Sequence, residues 1–353
     1  MQSLPTTRSS SMMQSSFFDL TNRHHKLNER DPLTELNRLI DWQSFRALLE
    51  DARPSERKSA AGRKPFDAVL MFKTLVLQHL YNLGDDELEF QIRDRYTFCR
   101  FLGLSPEGRI PDAKTIWLFR EQLGKTERIK SLFEVFEAQL EAKGYKARKG
   151  QIVDASFIEA PRQRNSREEN AQLKAGEIPE SLSENPHVLR QKDTDARWTK
   201  KLNEVHYGYK NHVVVDAAHK LIRNYAVTSA EVHDSNVFVE LLSKNTSCDV
   251  WADSAYRSEA AEKTLEAAGY RSHVHRKGSR NTPLSKRSEQ ANKKKSKIRV
   301  RVEHVFGSMK NEQGGKFVRV IGLVRATVKV GLMNLVYNMR RMVSLNRMKP
   351  SYA

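Results

Sequence analysis

The feature that most constrains the fold is a change in the period of the apolar residues near position 150. From Asp31 onward apolar side chains recur at steps of three and four: Leu33, Leu36, Leu39, Ile40, then Phe45, Leu48, Leu49, then Val69, Leu70, Leu75, Val76, Leu80. That spacing makes amphipathic helices. From Ile152 the apolar residues come in short runs instead, at 152–153, 212–215, 221–227 and 250–252, each closed by polar or turn-forming residues. Runs of that kind are buried strands. The chain is therefore expected to be an all-α N-terminal segment followed by a mixed α/β layer.

Punctuation refines this outline. Residues 1–30 read as a disordered tail, its start rich in Ser, Thr and Gln, and 31–145 as a helical domain. Residues 146–347 form the α/β domain, with a polar insertion at 161–205 broken by Pro179 and Pro186. Arg53–Lys64 is a basic linker. Pro65 opens a helix over 66–83, Gly84-Asp85-Asp86 caps another through Leu102, and Asp112 caps a third that carries Phe119 and Arg120. These short helices are either a helix-turn-helix or a plain dimerisation bundle. Further on, Asp234 is expected to cap a helix through Leu242, residues 259–268 and 324–345 to be helical, and Arg271–Arg301 to be a basic loop before the helix around Glu303.

Composition narrows the partner. The 353 residues carry a net charge of +18, with a pI near 9.8, an excess suited to phosphates. Mean hydropathy is −0.66 and no apolar run approaches the roughly 20 residues of a membrane span. No secretory signal is apparent, and Cys99 and Cys248 lack CxxC spacing. Neither a disulfide framework nor a structural zinc site is expected, and a cytoplasmic, nucleoid-associated location fits.

Three acids share a suggestive context. Asp154 ends the run Gln151-Ile152-Val153, Asp253 ends Val250-Trp251-Ala252, and Glu303 sits in Arg299-Val300-Arg301-Val302-Glu303-His304 with Lys310 a heptad later. Two acids at strand ends and one on a helix, in a basic chain, suit a pair of Mg²⁺ ions (or Mn²⁺) held over a phosphodiester. At about 100° per residue, Arg299 lies roughly 40° and Lys310 about 20° from Glu303, while Val302, Phe306 and Met309 form a separate apolar seat. Taken singly, each acid reads as a turn, a cap or a surface ion-pair former. Jointly they favour a catalytic site.

Other residues draw attention. The run from Arg271 to Arg301, with Lys293, Lys294, Lys295 and Arg301, has a local charge of +11 and is expected to follow a DNA backbone. Lys210 and His212 are candidates for phosphate contact or edge solvation. His233 is a possible neighbour of the acid site or merely part of a helix cap. Trp198 is a possible base-stacking platform or a loop anchor, and Arg120 a possible accessory residue. His273 and His275 resemble a metal pair only superficially.

At these residues the chain resembles bacterial insertion-sequence transposases of the DDE class, specifically the insertion-sequence-five family. The likeness rests on Tyr81-Asn82-Leu83 with Asp86, Ile110-Pro111-Asp112 through Phe119-Arg120, Val153-Asp154-Ala155 and Ile158-Glu159-Ala160-Pro161. It continues through Gly208-Tyr209-Lys210-Asn211-His212, His233-Asp234-Ser235, Ala252-Asp253-Ser254-Ala255-Tyr256 and Arg299 through Lys310, covering about residues 30–345. Ser296 stands where the family pattern has a tyrosine. The resemblance implies an RNase H-like catalytic domain, a mixed sheet with helices on both faces, in which Asp154, Asp253 and Glu303 ligate metal and Arg299 and Lys310 bind phosphates. It also implies hydrolysis at element ends and transfer of the 3′-hydroxyls into target DNA, by a homodimer or higher homo-oligomer on double-stranded DNA. A nuclease without strand transfer and a non-catalytic DNA-binding protein are the alternatives.

Overall fold

The computed structural model describes residues 31–53, 64–105, 108–201, 203–278 and 283–348. The expected tail at 1–30 and most of the basic linker lie outside the described residues. The first helices are α1 (Pro32–Leu39), α2 (Arg46–Asp51), α3 (Ala68–Leu80), α4 (Asp85–Asp94), α5 (Tyr96–Leu102), α6 (Ala113–Lys125) and α7 (Ile129–Ala142). Asp31, Asp67 and Asp112 each cap a helix by accepting first-turn amides on their carboxylates. The single helix expected over 87–102 is two, because Arg95 adopts an extended backbone (φ −98°, ψ 108°) between α4 and α5.

The sheet is built on β1 (Gln151–Glu159). The insertion that follows is ordered rather than a bare loop, with α8 (Arg167–Ala175), α9 (Glu180–Ser183), α10 (Pro186–Leu189) and β2 (Arg197–Lys201). A capping box at Ser166 and Glu169 starts α8, a local signal within a polar stretch. Next come β3 (Glu204–Asp216), β4 (Ile222–Ser229), α11 (Phe238–Leu241), β5 (Asp249–Trp251), α12 (Glu259–Ala267) and β6 (Arg271–Ser272), then α13 (Lys286–Glu312) and α14 (Leu323–Arg347). Two elements differ from expectation. His233, not Asp234, caps the short 3-10 turn that precedes α11. The basic loop is largely the first half of α13: Ser285 caps it, Glu289 lies in its first turn, and no Gly or Pro interrupts it before Gly307.

β1 lies between β3, antiparallel, and β5, parallel; β6 extends the parallel side, and β2 and β4 follow one another along the far edge of β3. Pairing of Asp154 with Val213 places Asp154, Ile152 and Ser156 on one face of the sheet. Val153 pairs with Val214 and faces the other way. The two faces belong to separate apolar clusters. Ile152, Val213 and Val215 pack with Val302, Phe306 and the helical N-terminal segment, whereas Val153 and Val214 pack with Phe238, Tyr256 and Leu265. This is a mixed sheet with helices on both faces, preceded by helices, the α/β class expected from the sequence.

α14 joins the parts. It packs against α3, α6, α7 and β4, and its Val330, Leu332, Leu335, Val336 and Met339 are fully buried. Two buried amides fix its register on the sheet. Asn334 and Asn211 exchange hydrogen bonds of 2.8 and 3.1 Å, and the Asn338 side chain accepts from Ile222 N at 2.9 Å and donates to Ile222 O at 2.7 Å. Unpaired, such groups would each cost about 1–3 kcal/mol, so they discriminate against slipped packing.

One glycine is required where β3 exchanges β2 for β4. Gly208 has φ +144°, and a Cβ there would lie 2.3 Å from Ile158 O and 2.8 Å from Ala160 N. Gly208→Ala should lower stability by about 3 kcal/mol in urea denaturation. Gly176→Ala, at positive φ but with nothing within 4 Å of the added methyl, should cost about 1 kcal/mol.

Candidate active site

The last registered pair between the parallel strands is Ile152 with Trp251. Two positions beyond that pair come Asp154, within β1, and Asp253, just past the end of β5, and the Asp253 charge reaches Asp154. Asp253 thus follows the carboxyl end of a parallel strand, where open α/β sheets place their ligands, whereas Asp154 is not at the strand end expected for it, because β1 continues antiparallel to β3 as far as Glu159. Asp253 also caps the 3-10 turn Ser254–Tyr256, its Oδ1 accepting from Ala255 N at 2.6 Å.

α13 crosses the same face. Val302, Val305, Phe306 and Met309 bury its underside, and Arg299 is turned toward Asp154 on β1 with Glu303 beside it. Arg299 Nη1 donates to Asp154 Oδ2 at 2.8 Å, and its Nη2 is 3.7 Å from Glu303 Oε1. Asp154 is mostly buried and also accepts from Ala155 N at 2.9 Å, whereas Glu303 is exposed. Burial is the main reason the Asp154 carboxyl is pushed up to about 6, and the Asp253 charge adds to it, while Arg299, the Ala155 amide and Lys201 oppose.

These acids suit a hard divalent cation by chemistry: oxygen donors only, with one buried carboxylate destabilised by a neighbouring one. Among the described residues no three His, Cys, Asp or Glu side chains converge as a metal cluster. Arg299 lies between the first and third acids.

Several of the other singled-out residues lie elsewhere. Lys210 and His212 occupy the opposite face of the sheet from Asp154, because they pair with Phe157 and Ala155. Lys210 donates to Asp234 Oδ1 at 2.8 Å and Val232 O at 2.7 Å, and His212 shares a 2.9 Å bond with Thr228 Oγ1. Both are buried, and burial pushes the His212 imidazole down to about 4. Neither presents its charge to a surface ligand. Lys293, Lys294 and Lys310 are exposed, but Lys295 donates to Val274 O at 2.9 Å and Arg301 donates to Ala217 O. Arg120 is held by Asp85 (2.7 Å from each Nη) and Gln78 (2.9 Å), joining α6 to α4 and α3. His233 turns its Nδ1 to Ser235 Oγ at 2.7 Å. Trp198 is exposed on β2, tilted against Tyr207 with ring centroids 4.8 Å apart. His273 stacks on Trp251 and contacts Asp249 at 2.7 Å.

Residues not singled out for this site also approach it. Tyr256, fully buried, has no hydrogen-bond partner for its hydroxyl among the described residues; burial raises its pKa, and the charges of Asp234, Asp154 and Asp253 add to that. His275 lies one strand beyond Asp253, with Ser296 Oγ at 3.5 Å from its Nε2. Burial lowers its pKa, and Arg299 and Lys295 lower it further. In the sequence Tyr256 stood out only as part of the matching stretch three residues after Asp253, and His275 only as half of a superficial metal pair in a basic run.

Residues 145–339 match the family model described as a transposase DDE domain, and residues 21–122 match one described as a transposase domain (DUF772). The chain belongs to the DDE transposase family. Among solved structures it is similar to the piggyBac transposase in a synaptic complex with hairpin DNA, at 13% identity and a TM-score of 0.45, over 91% of this chain and 76% of that one. No described helix is long and apolar enough to cross a membrane.

The raised Asp154 pKa has a stability consequence. Because the folded value of about 6 exceeds the ordinary 3.8, the native state binds the proton better. The associated stability is fully present below about pH 4 and is lost as pH rises through 6, a step of about 3 kcal/mol at most. Asp154→Asn should remove that step from the pH dependence of the thermal midpoint.

Proposed function

We propose that this chain is a DNA transposase of the insertion-sequence-five type, which cleaves the ends of its element and joins the freed 3′-hydroxyls to target DNA. The observation that carries the reading is Arg299 on α13 lying between Asp154 of β1 and Glu303, with Asp253, just past β5, near enough for its charge to act on Asp154. Asp154, Asp253 and Glu303 are proposed to hold two Mg²⁺ ions, with Mn²⁺ as an alternative. Bound there, the ions would supply an activated oxygen nucleophile and charge stabilisation at phosphorus and the leaving oxygen.

The chain's own residues do the positioning. β1 holds Asp154, the turn that follows β5 holds Asp253, and the apolar underside of α13 sets the angle at which Arg299 and Glu303 approach β1. Arg299 and Lys310 point the same way along the helix and would take phosphates near the cleavage point. Lys293 and Lys294, exposed on the first half of α13, extend a cationic track along the duplex. The helical segment at 31–145 is proposed to bind element ends or to mediate a homodimer or higher homo-oligomer, and the α/β domain to span 146–347.

Asp154→Ala, Asp253→Ala and Glu303→Ala should each reduce metal-dependent cleavage to below about one-thousandth of wild type while leaving end binding intact. Full activity in any one of them removes that residue from the site. Supplying an oligonucleotide with a free 3′-hydroxyl and a supercoiled plasmid separates the chemistries: joined products support transposition, and nicks alone indicate a nuclease.

Lys293→Gln combined with Lys294→Gln should flatten the plot of log binding constant against log salt by roughly two units of slope. An unchanged slope would show that this part of α13 does not follow the backbone.

A further inference from the structure

Arg299 stands where a cation shared by Asp154 and Glu303 would stand. One nitrogen donates to Asp154 at 2.8 Å and the other is 3.7 Å from Glu303. The arm is not loose, since α13 is seated by Val302, Val305 and Phe306 within the turns that follow. An Asp154 oxygen engaged by a guanidinium is poorly placed to serve as a ligand as well. The same guanidinium is the group best shaped to receive a phosphate, with paired donors on a rigid plane. Its Nε is buried with no partner among the described residues, a donor that Asp154 and Glu303 do not satisfy. One side chain therefore faces two mutually exclusive demands, an internal carboxylate and an incoming phosphate.

We propose that Arg299 is a positioning residue that couples DNA engagement to metal binding. In the DNA-free chain it is the internal counter-ion of Asp154, and a DNA phosphate draws it away and frees the acids for the cation. This rests on the function proposed above. Coupling of this kind is reciprocal, so bound metal also strengthens the hold on DNA.

The test measures Mn²⁺ binding by titration calorimetry on the full chain, with thermal melting to confirm folding. Without DNA, Arg299→Gln should bind Mn²⁺ about tenfold more tightly than wild type. Arg299→Lys, which keeps a cation on the same face, should stay close to wild type. Lys201→Gln controls for charge alone, because Lys201 acts on Asp154 electrostatically and not through a hydrogen bond. Its gain should stay under about threefold. Adding Asp154→Asn to Arg299→Gln should abolish the tight binding.

Duplex DNA, with Asp154→Asn as the background for ions held by the DNA itself, should tighten Mn²⁺ binding in wild type and leave Arg299→Gln unchanged. The proposal is overturned if Arg299→Gln binds no better than wild type, if neither binds, if Lys201→Gln gains as much, or if DNA helps both equally. Failure of the transposase reading would appear separately, as cleavage that survives loss of Asp154.

Discussion

The structure depends on the register of one strand. β1 is held on one side by nine antiparallel pairs with β3 and on the other by parallel pairing with β5. Because strand side chains alternate between faces, that register decides what each residue can meet. It sends Asp154 toward α13, Val153 toward the core of the opposite face, and aligns Asp154 with Asp253. A slip of one residue would bury Asp154 beside Phe238 and Tyr256 and turn Val153 toward Arg299. The buried Asn211–Asn334 and Asn338–Ile222 bonds guard against such a slip, since they are satisfied only when α14 and the sheet are in this alignment.

That alignment also explains the electrostatic character of the site. The middle of a paired strand gives Asp154 a partly desolvated place, and the Asp253 charge makes its ionisation costlier still. Arg299 offsets this from α13, while Glu303, one turn further along, stays exposed. The positive charge available to the buried acid thus comes from a side chain that is itself suited to phosphate.

Legibility from sequence varied with the range of the interactions. The helical stripes, the Asp112 cap and the strand runs are local patterns, and they foretold the order of the main elements outside the insertion and the basic run. The shared face of Arg299, Glu303 and Lys310 followed from helical geometry alone, as did the apolar seat of Val302, Phe306 and Met309. The errors arose where long-range packing decides. A dense run of lysines and arginines read as a loop, yet it contains no breaker between Lys286 and Arg301 and continues into a well-seated helix. Lys210 and His212 looked available because their strand neighbours could not be known, and pairing with Phe157 and Ala155 turns them inward to Asp234 and Thr228. Arg120 and Arg301 looked like free cations, but Asp85 and Ala217 O occupy them.

By itself the sequence determined the sign of the partner's charge, through an excess of cations, and the class of fold, through the change from helical to strand periodicity. It also named the acids, because their local contexts are unusual in combination. Only the tertiary structure decided which cations stay free and which are spent inside the molecule. It also determined that the Asp253 charge reaches Asp154 and that Arg299 lies between Asp154 and Glu303. Most of those outcomes depend on contacts between residues from 21 to 145 positions apart, and local spacing carries no information about which of the available partners a charge will meet.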